Sequence, residues 1–341
     1  MIYAVLRPVI AVSLLAALTG CWFSERIEEF GGPTMGSTYS IKYVRSKDSP
    51  SLDLLKRETE AILAEVDQQM STYRADSVIE RFNDAPVGTC QVMPAPVLEL
   101  IETGRELNEQ SQGAFDLTLE PLLNLWGFGP KARVEKVPTP EQLAAAREQV
   151  GMQYLRRVGE QLCKDVDVQV DFNSIAAGYT VDRVVQRLTE LGINSYLVEI
   201  TGELKAAGRK PDGQQWRIGL EAPQTGERVA QRVLELDGYG ISTSGDYRNY
   251  FEENGRRYSH TLDPLTGAPI THTLAAVTVA DKSTLRADGL STVLMVMGTE
   301  RGLAFAERMG IAAFFITREG DTFVTQSTPA FEQLFAEGEE K

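Results

Sequence analysis

Asp288 and Thr292 stand four residues apart at the mouth of an apolar run, "RADGLSTVLMVMG" (Arg286–Gly298). On a helix that spacing stacks two side chains on one face, so two hard oxygens converge on one point. Ser291 stands beside them. The plainer role for such an aspartate is to cap or charge the first turn of a buried helix, so other stretches must decide.

Four other stretches carry chemistry-bearing residues. "TMGSTYSI" (Thr34–Ile41) flanks a glycine with hydroxyls at a strand start, where a backbone can approach a ligand closely. "STYRADSVIERFN" (Ser71–Asn83) sets Tyr73 beside Arg74, an aromatic plate with a neighbouring cation, against the alternative of a surface turn. "GAFDLTLEPLLNLWGFG" (Gly113–Gly129) gathers Phe115, Asp116, Asn124, Trp126 and Phe128 in a glycine-punctuated loop, against the alternative of a packed loop over the core. "VDFNSIAAGYTVD" (Val170–Asp182) puts Asp171 at a strand end and Asn173 and Ser174 at a helix N-terminus, where amides and dipole favour anions.

The elements that must position these residues follow from periodicity. A strand starts near Tyr39, and Leu52, Leu55, Thr59, Ile62, Leu63, Val66 and Met70 keep helical spacing after Ser51, a fitting N-cap. Further helices fit Pro96–Gln110 and Pro140–Val150, and Val168–Gly192 reads as strand, tight turn and helix with Gly192 as its C-cap. "SYLVEIT", "WRIGLEA", "RVLELDGYGIST" and "AAVTVAD" are strand-like, Ala287–Met297 and Thr299–Met309 helical, and "AAFFITREGDTFVTQ" is a hairpin turning at Glu319 to Asp321. Helices interspersed among clustered strands, without strict βαβ alternation, predict an α+β fold with mixed, largely antiparallel sheets.

The chain has 341 residues, 43% of them hydrophobic, enough for one large domain or two ordinary ones. Its net charge is −14, and no Lys/Arg block stands out, which argues against nucleic acid as a partner. At the N-terminus Arg7, the short apolar run Val9–Leu18 and "LTGC" resemble a lipoprotein signal that is cut before Cys21. The expectation is a signal peptide over 1–20, a lipidated Cys21, a polar stalk over 21–32 and one domain over 33–335. The apolar run is too short to span a bilayer. The mature protein is therefore expected on the periplasmic face of the inner membrane, or on the outer membrane, held by its lipid alone. Cys90 and Cys163 either pair or remain buried thiols; their spacing fits no zinc or redox motif.

These blocks, in this order, resemble the FAD:protein FMN transferases, the ApbE family of bacterial lipoproteins, through "TMGSTY", "MSTYRADSVIERFN", "GAFDLTLEPLLNLWGFG", "DFNSIAAGYTVD", "YLVEITGEL", "SGDYRNYFEENGRRYSHTLDPLTG" and "ADGLST". The resemblance implies an ApbE-like, T-fold-like architecture and an enzyme that binds FAD as substrate with Mg²⁺. It implies transfer of FMN to a threonine or serine of an acceptor protein, such as a flavin-carrying subunit of a membrane redox complex, with release of AMP. It places Met35, Tyr73, Ala114, Phe115, Asp116, Asp171 and Leu262 on the FAD. It places the Ser174 carbonyl and the Asp288 and Thr292 side chains on the metal, with Ser291 beside them. Ala177 stands where the family usually has a phosphate- or adenine-facing Lys, and Thr201 where it has a paired glycine. Of the two histidines, His260 lies inside a matched block and ranks first as base, ahead of Asp246 and Asp263, while His272 lies just beyond. The alternatives to transfer are an FAD pyrophosphatase that yields FMN and AMP, and a flavin-binding lipoprotein without catalysis.

Overall fold

A computed structural model describes residues 24–132, 134–221, 230–246 and 250–336. Cys21 and the signal segment therefore lie outside the described residues. The chain opens with β1 (Arg26–Thr34), β2 (Ser37–Arg45), α1 (Leu52–Met70), α2 (Val78–Asn83), β3 (Cys90–Val92), α3 (Ala95–Gln110), α4 (Glu120–Trp126) and α5 (Pro140–Arg147). It continues with β4 (Leu155–Val158), β5 (Gln161–Lys164), α6 (Ala176–Glu190), β6 (Tyr196–Ile200), β7 (Glu203–Ala207), β8 (Trp216–Glu221), β9 (Ala230–Leu236) and β10 (Tyr239–Gly245). It ends with β11 (Tyr250–Glu253), β12 (Arg256–Ser259), β13 (Leu262–Asp263), β14 (Ala268–Pro269), β15 (Leu274–Asp281), α7 (Thr284–Met309), β16 (Ala312–Glu319), β17 (Thr322–Ser327) and α8 (Pro329–Leu334).

Eight strands form the central sheet, in the order β1-β2-β6-β7-β10-β15-β16-β17. Every neighbouring pair in it is antiparallel. The α+β expectation holds. β15 is apolar on both sides because both faces of the sheet are covered: Val277 and Val279 join the core under α3 and α7, and Ala276 and Ala280 join the core under the β8–β9 hairpin and α8. Alternation along β2 sends Tyr39, Ile41 and Tyr43 toward α1 and α6 instead.

Local chemistry explains the helices. Ser51 caps α1 by accepting from Leu54 N, and Leu55, Thr59, Leu63, Val66 and Met70 form its buried stripe. The two helices expected on either side of Gly298 are one long element broken at that glycine, whose φ of 74° is left-handed. Three expectations are corrected. Residues 26–32 are not stalk but most of β1, paired with β2 along its length. "EPLLNLW" is a helix of nearly two turns rather than loop. The helix from Pro140 stops at Arg147 instead of reaching Val150.

Candidate active site

The start of α7 crosses the start of α6 at Gly178, where a Cβ would lie 2.4 Å from Thr284 O and 2.7 Å from Asp288 Cβ. Only glycine permits that approach, and the bare amide of Gly178 donates to Asp288 Oδ2 at 2.9 Å. Asp288 is 6% exposed, and burial drives its carboxyl well above the usual carboxylate range. It borders a cavity of about 350 Å³ together with Thr292, Ser174, Asp171 and His260. One helical turn thus presents both oxygens to one space, beside the turn before α6.

Ser291 is a different case. It is fully buried, donates to Asp288 O at 2.9 Å, and lies 2.8 Å from Ser244 Oγ and 3.1 Å from Ser242 Oγ on β10. Its hydroxyl is turned into the sheet rather than into the cavity, so it supports the Asp288 turn from behind.

Asp171 receives Asn173 N at Oδ1 (2.7 Å) and Asn173 Nδ2 at Oδ2 (3.1 Å), and burial raises its carboxyl. Asp116 is held the same way, by Thr118 N at 2.7 Å, the Thr118 hydroxyl and Met152 N at 3.2 Å, again with burial raising it. Both aspartates spend their oxygens on nearby main-chain amides and side chains and still border the cavity, with Ala114 and Phe115. The opposite wall comes from α4 and the Tyr250–Pro269 segment: Trp126 Nε1 donates to Gly267 O at 2.9 Å, and Leu122, Trp126, Phe251 and Leu262 share one apolar cluster. Leu262 and His260 reach the cavity from there, the His260 ring edge-on to Phe128 with centroids 6.4 Å apart.

Met35, Tyr73 and Ala177 do not border this cavity. Met35 and Gly36 form the two-residue β1–β2 turn, both with positive φ. Tyr73 is 70% exposed beyond the end of α1, and its hydroxyl is raised by burial of the oxygen and by Asp171 and Glu120. Arg74 is no free partner for it, being tied to Asp67 at 2.7 Å and Asp76 at 3.0 Å. Ala177 sits half-buried in the first turn of α6.

The structure also sorts the candidate bases. Asp246 is clasped by Arg318 at 2.8 and 3.2 Å, and Asp263 Oδ1 accepts from Leu265 N, so neither offers an open oxygen pair to the cavity. His272 Nε2 lies 2.9 Å from Met295 O, and its ring fills the space where a Cβ on Gly298 would stand. Glu203, at the start of β7, was missed from sequence. It borders the cavity, burial pushes its carboxyl up to about 7, and no cationic side chain pairs with it or with Asp288 among the described residues.

The family model for the ApbE family matches residues 35–315. The FAD:protein FMN transferase of Vibrio cholerae is 43% identical over 96% of this chain and 98% of its own length, and that of Haemophilus influenzae is 41% identical over 96% of each. The apo crystal structure of the Pseudomonas stutzeri flavinyl transferase ApbE superposes with a TM-score of 0.88 at 64% identity, covering 93% of this chain and 99% of that one. A family model spanning most of the chain, and relatives matched over nearly their whole length at 41–43% identity, place this protein in the ApbE family.

Proposed function

We propose that the chain moves the FMN half of FAD onto a threonine or serine hydroxyl of an acceptor protein, with Mg²⁺, and releases AMP. The observation that carries this reading is that one cavity is bordered at once by Asp288, Thr292, Ser174 and His260. A pyrophosphate brought to a protein of net charge −14 is repelled unless a cation stands between them. A buried Asp288 beside the half-buried Glu203, with no cationic side chain paired to either among the described residues, is costly as a carboxylate by itself and fits a divalent ion. Among the described residues no group of three or more His, Cys, Asp or Glu gathers to hold a metal. The cation therefore rests on few protein ligands, all hard oxygens, as suits Mg²⁺ shared with phosphates.

Asp288, Thr292 and the Ser174 turn would hold Mg²⁺, which when bound neutralises charge on the pyrophosphate and on departing AMP. The acceptor oxygen forms a bond to the FMN phosphorus, and the phosphorus–oxygen bond to AMP breaks with its electron pair leaving on AMP. His260 takes the hydroxyl proton. The Asp116 and Asp171 loops, fixed by their own main-chain hydrogen bonds, shape the flavin side.

Incubation with FAD, Mg²⁺ and an acceptor protein, followed by intact mass, tests this reading. The acceptor gains one FMN, and Asp288→Asn abolishes the gain. An unmodified acceptor with free FMN and AMP would instead establish a pyrophosphatase. The lipid anchor at Cys21 belongs to the same proposal and places the enzyme on the periplasmic side of a membrane; no helix among the described residues is long and apolar enough to cross one. A mature N-terminus without diacylglycerol by mass spectrometry would remove the anchor and leave the transferase reading untouched.

A further inference from the structure

Gly178 N fixes one oxygen of Asp288, and the other, Oδ1, lies 3.5 Å from the Ser242 hydroxyl on β10. The same hydroxyl lies 3.5 Å from Glu203 Oε1 and 3.1 Å from Ser291 Oγ. A hydroxyl carries one proton, so the two carboxylates flank Ser242 as competing acceptors. Glu203 Oε2 is occupied in turn by Thr201, whose Oγ1 donates at 3.2 Å.

Thr201 holds φ at 55° in the two-residue turn between β6 and β7. A β-branched residue rarely adopts that conformation, and glycine would adopt it without strain. The threonine hydroxyl is what the turn gains in exchange. Antiparallel pairing of Ile241 with Leu204 carries the turn to its target, setting Glu203 beside Ser242.

We infer that Glu203 is a positioning residue of the cation site, which with Thr201 and Ser242 sets the second oxygen of Asp288 and adds a second acidic group to the cavity wall. The inference rests on the Mg²⁺ reading of Asp288 proposed above. Gln in place of Glu203 keeps the size and a carbonyl acceptor for Ser242, and removes the charge together with the oxygen that accepts from Thr201. Gly in place of Thr201 relieves the backbone and removes the hydroxyl together with its methyl.

Mn²⁺ titrated into the full protein with FAD and no acceptor, followed by the electron paramagnetic resonance of the free ion, separates these contributions. Glu203→Gln weakens Mn²⁺ binding about tenfold or more, the range found when a group behind a metal ligand is altered. It also raises the Mg²⁺ concentration needed for half-maximal transfer in parallel. Thr201→Gly raises the melting temperature yet weakens Mn²⁺ by a few-fold, a divergence that a purely structural role does not produce. Wild-type Mn²⁺ affinity in both variants, with binding lost in Asp288→Asn, overturns the role of Glu203 and leaves the cation site standing. Wild-type affinity in Asp288→Asn as well overturns the cation reading itself.

Discussion

His260 and His272 are the only imidazoles in the chain, and their surroundings divide them. His272 is half-buried against the break in α7, and burial lowers its pKa, so folding favours its neutral form. That contribution is present above the ordinary histidine pKa of about 6.5 and is lost as pH falls below it, through the lower pKa of the folded state. His260→Ala is therefore expected to cut FMN transfer by at least about a hundredfold with FAD still bound. His272→Ala should lower stability by about 1–2 kcal/mol and leave transfer near normal. Near-normal transfer in His260→Ala would move the base role elsewhere. Asp288 and Thr292 were legible because their spacing is local: an α-helix turns them to within about 40° of each other. Ser291 was the harder residue, since it sits about 60° to the other side of Asp288, where β10 rather than the cavity receives it. Glu203 carried no local signal, for it meets Asp288 only after β7 pairs with β10.

At the scale of elements, α2, α4 and the turn after α4 share one cation. Lys131 Nζ lies 2.9 Å from Glu80, 3.6 Å from Glu120 and 3.8 Å from Asp84. Glu80 and Glu120 are buried, and Glu120 Oε2 has no hydrogen-bond partner. Burial pushes Glu120 up to about 7, against the pull of Lys131. A carboxyl raised by folding favours the protonated fold, so it stabilises below its unfolded pKa of about 4.5 and loses that contribution as pH rises through about 7. Melting temperature should fall between pH 5 and pH 8, by less in Glu120→Gln and by more in Lys131→Met. Since Glu203 and Asp288 are also raised by burial, only the difference between variant and wild type reports on Glu120. Parallel curves for all three proteins would show that this cluster does not govern the slope. α4 escaped the sequence because it is only seven residues long, opens on Pro121 without a side-chain cap and closes on glycine. β1 escaped for a related reason: Glu, Gly and Pro are poor strand formers, and as an edge strand it buries only Phe30.

For the whole molecule, the sequence left open whether Cys90 and Cys163 pair, and the structure joins them across β3 and β5. Spacing alone could not decide, since the two cysteines are 73 residues apart and meet only because their strands align. The bridge ties off the segment that contains α3, the Ala114–Asp116 loop, α4 and α5, so the part of the cavity wall made by Ala114, Phe115, Asp116, Leu119 and Leu123 is enclosed in one covalent loop. A cross-link of that span removes unfolded-state freedom equivalent to about 4.4 kcal/mol in the chain-entropy picture, and native bridges commonly contribute about 2–4 kcal/mol. Such a bridge persists in an oxidising compartment, in keeping with the proposed periplasmic address. Its sulfurs do not border the cavity, so the stabilisation should be separable from the chemistry. The Cys90→Ser/Cys163→Ser double variant is expected to lose about 2–4 kcal/mol in urea unfolding and to transfer FMN at the wild-type rate at 25 °C. Dithiothreitol should reproduce the lower midpoint in wild type and leave the double variant unmoved. A midpoint that neither treatment shifts would mean that the loop is held by its packing alone, and a matching loss of transfer would mean that the enclosed wall depends on the bridge for its shape.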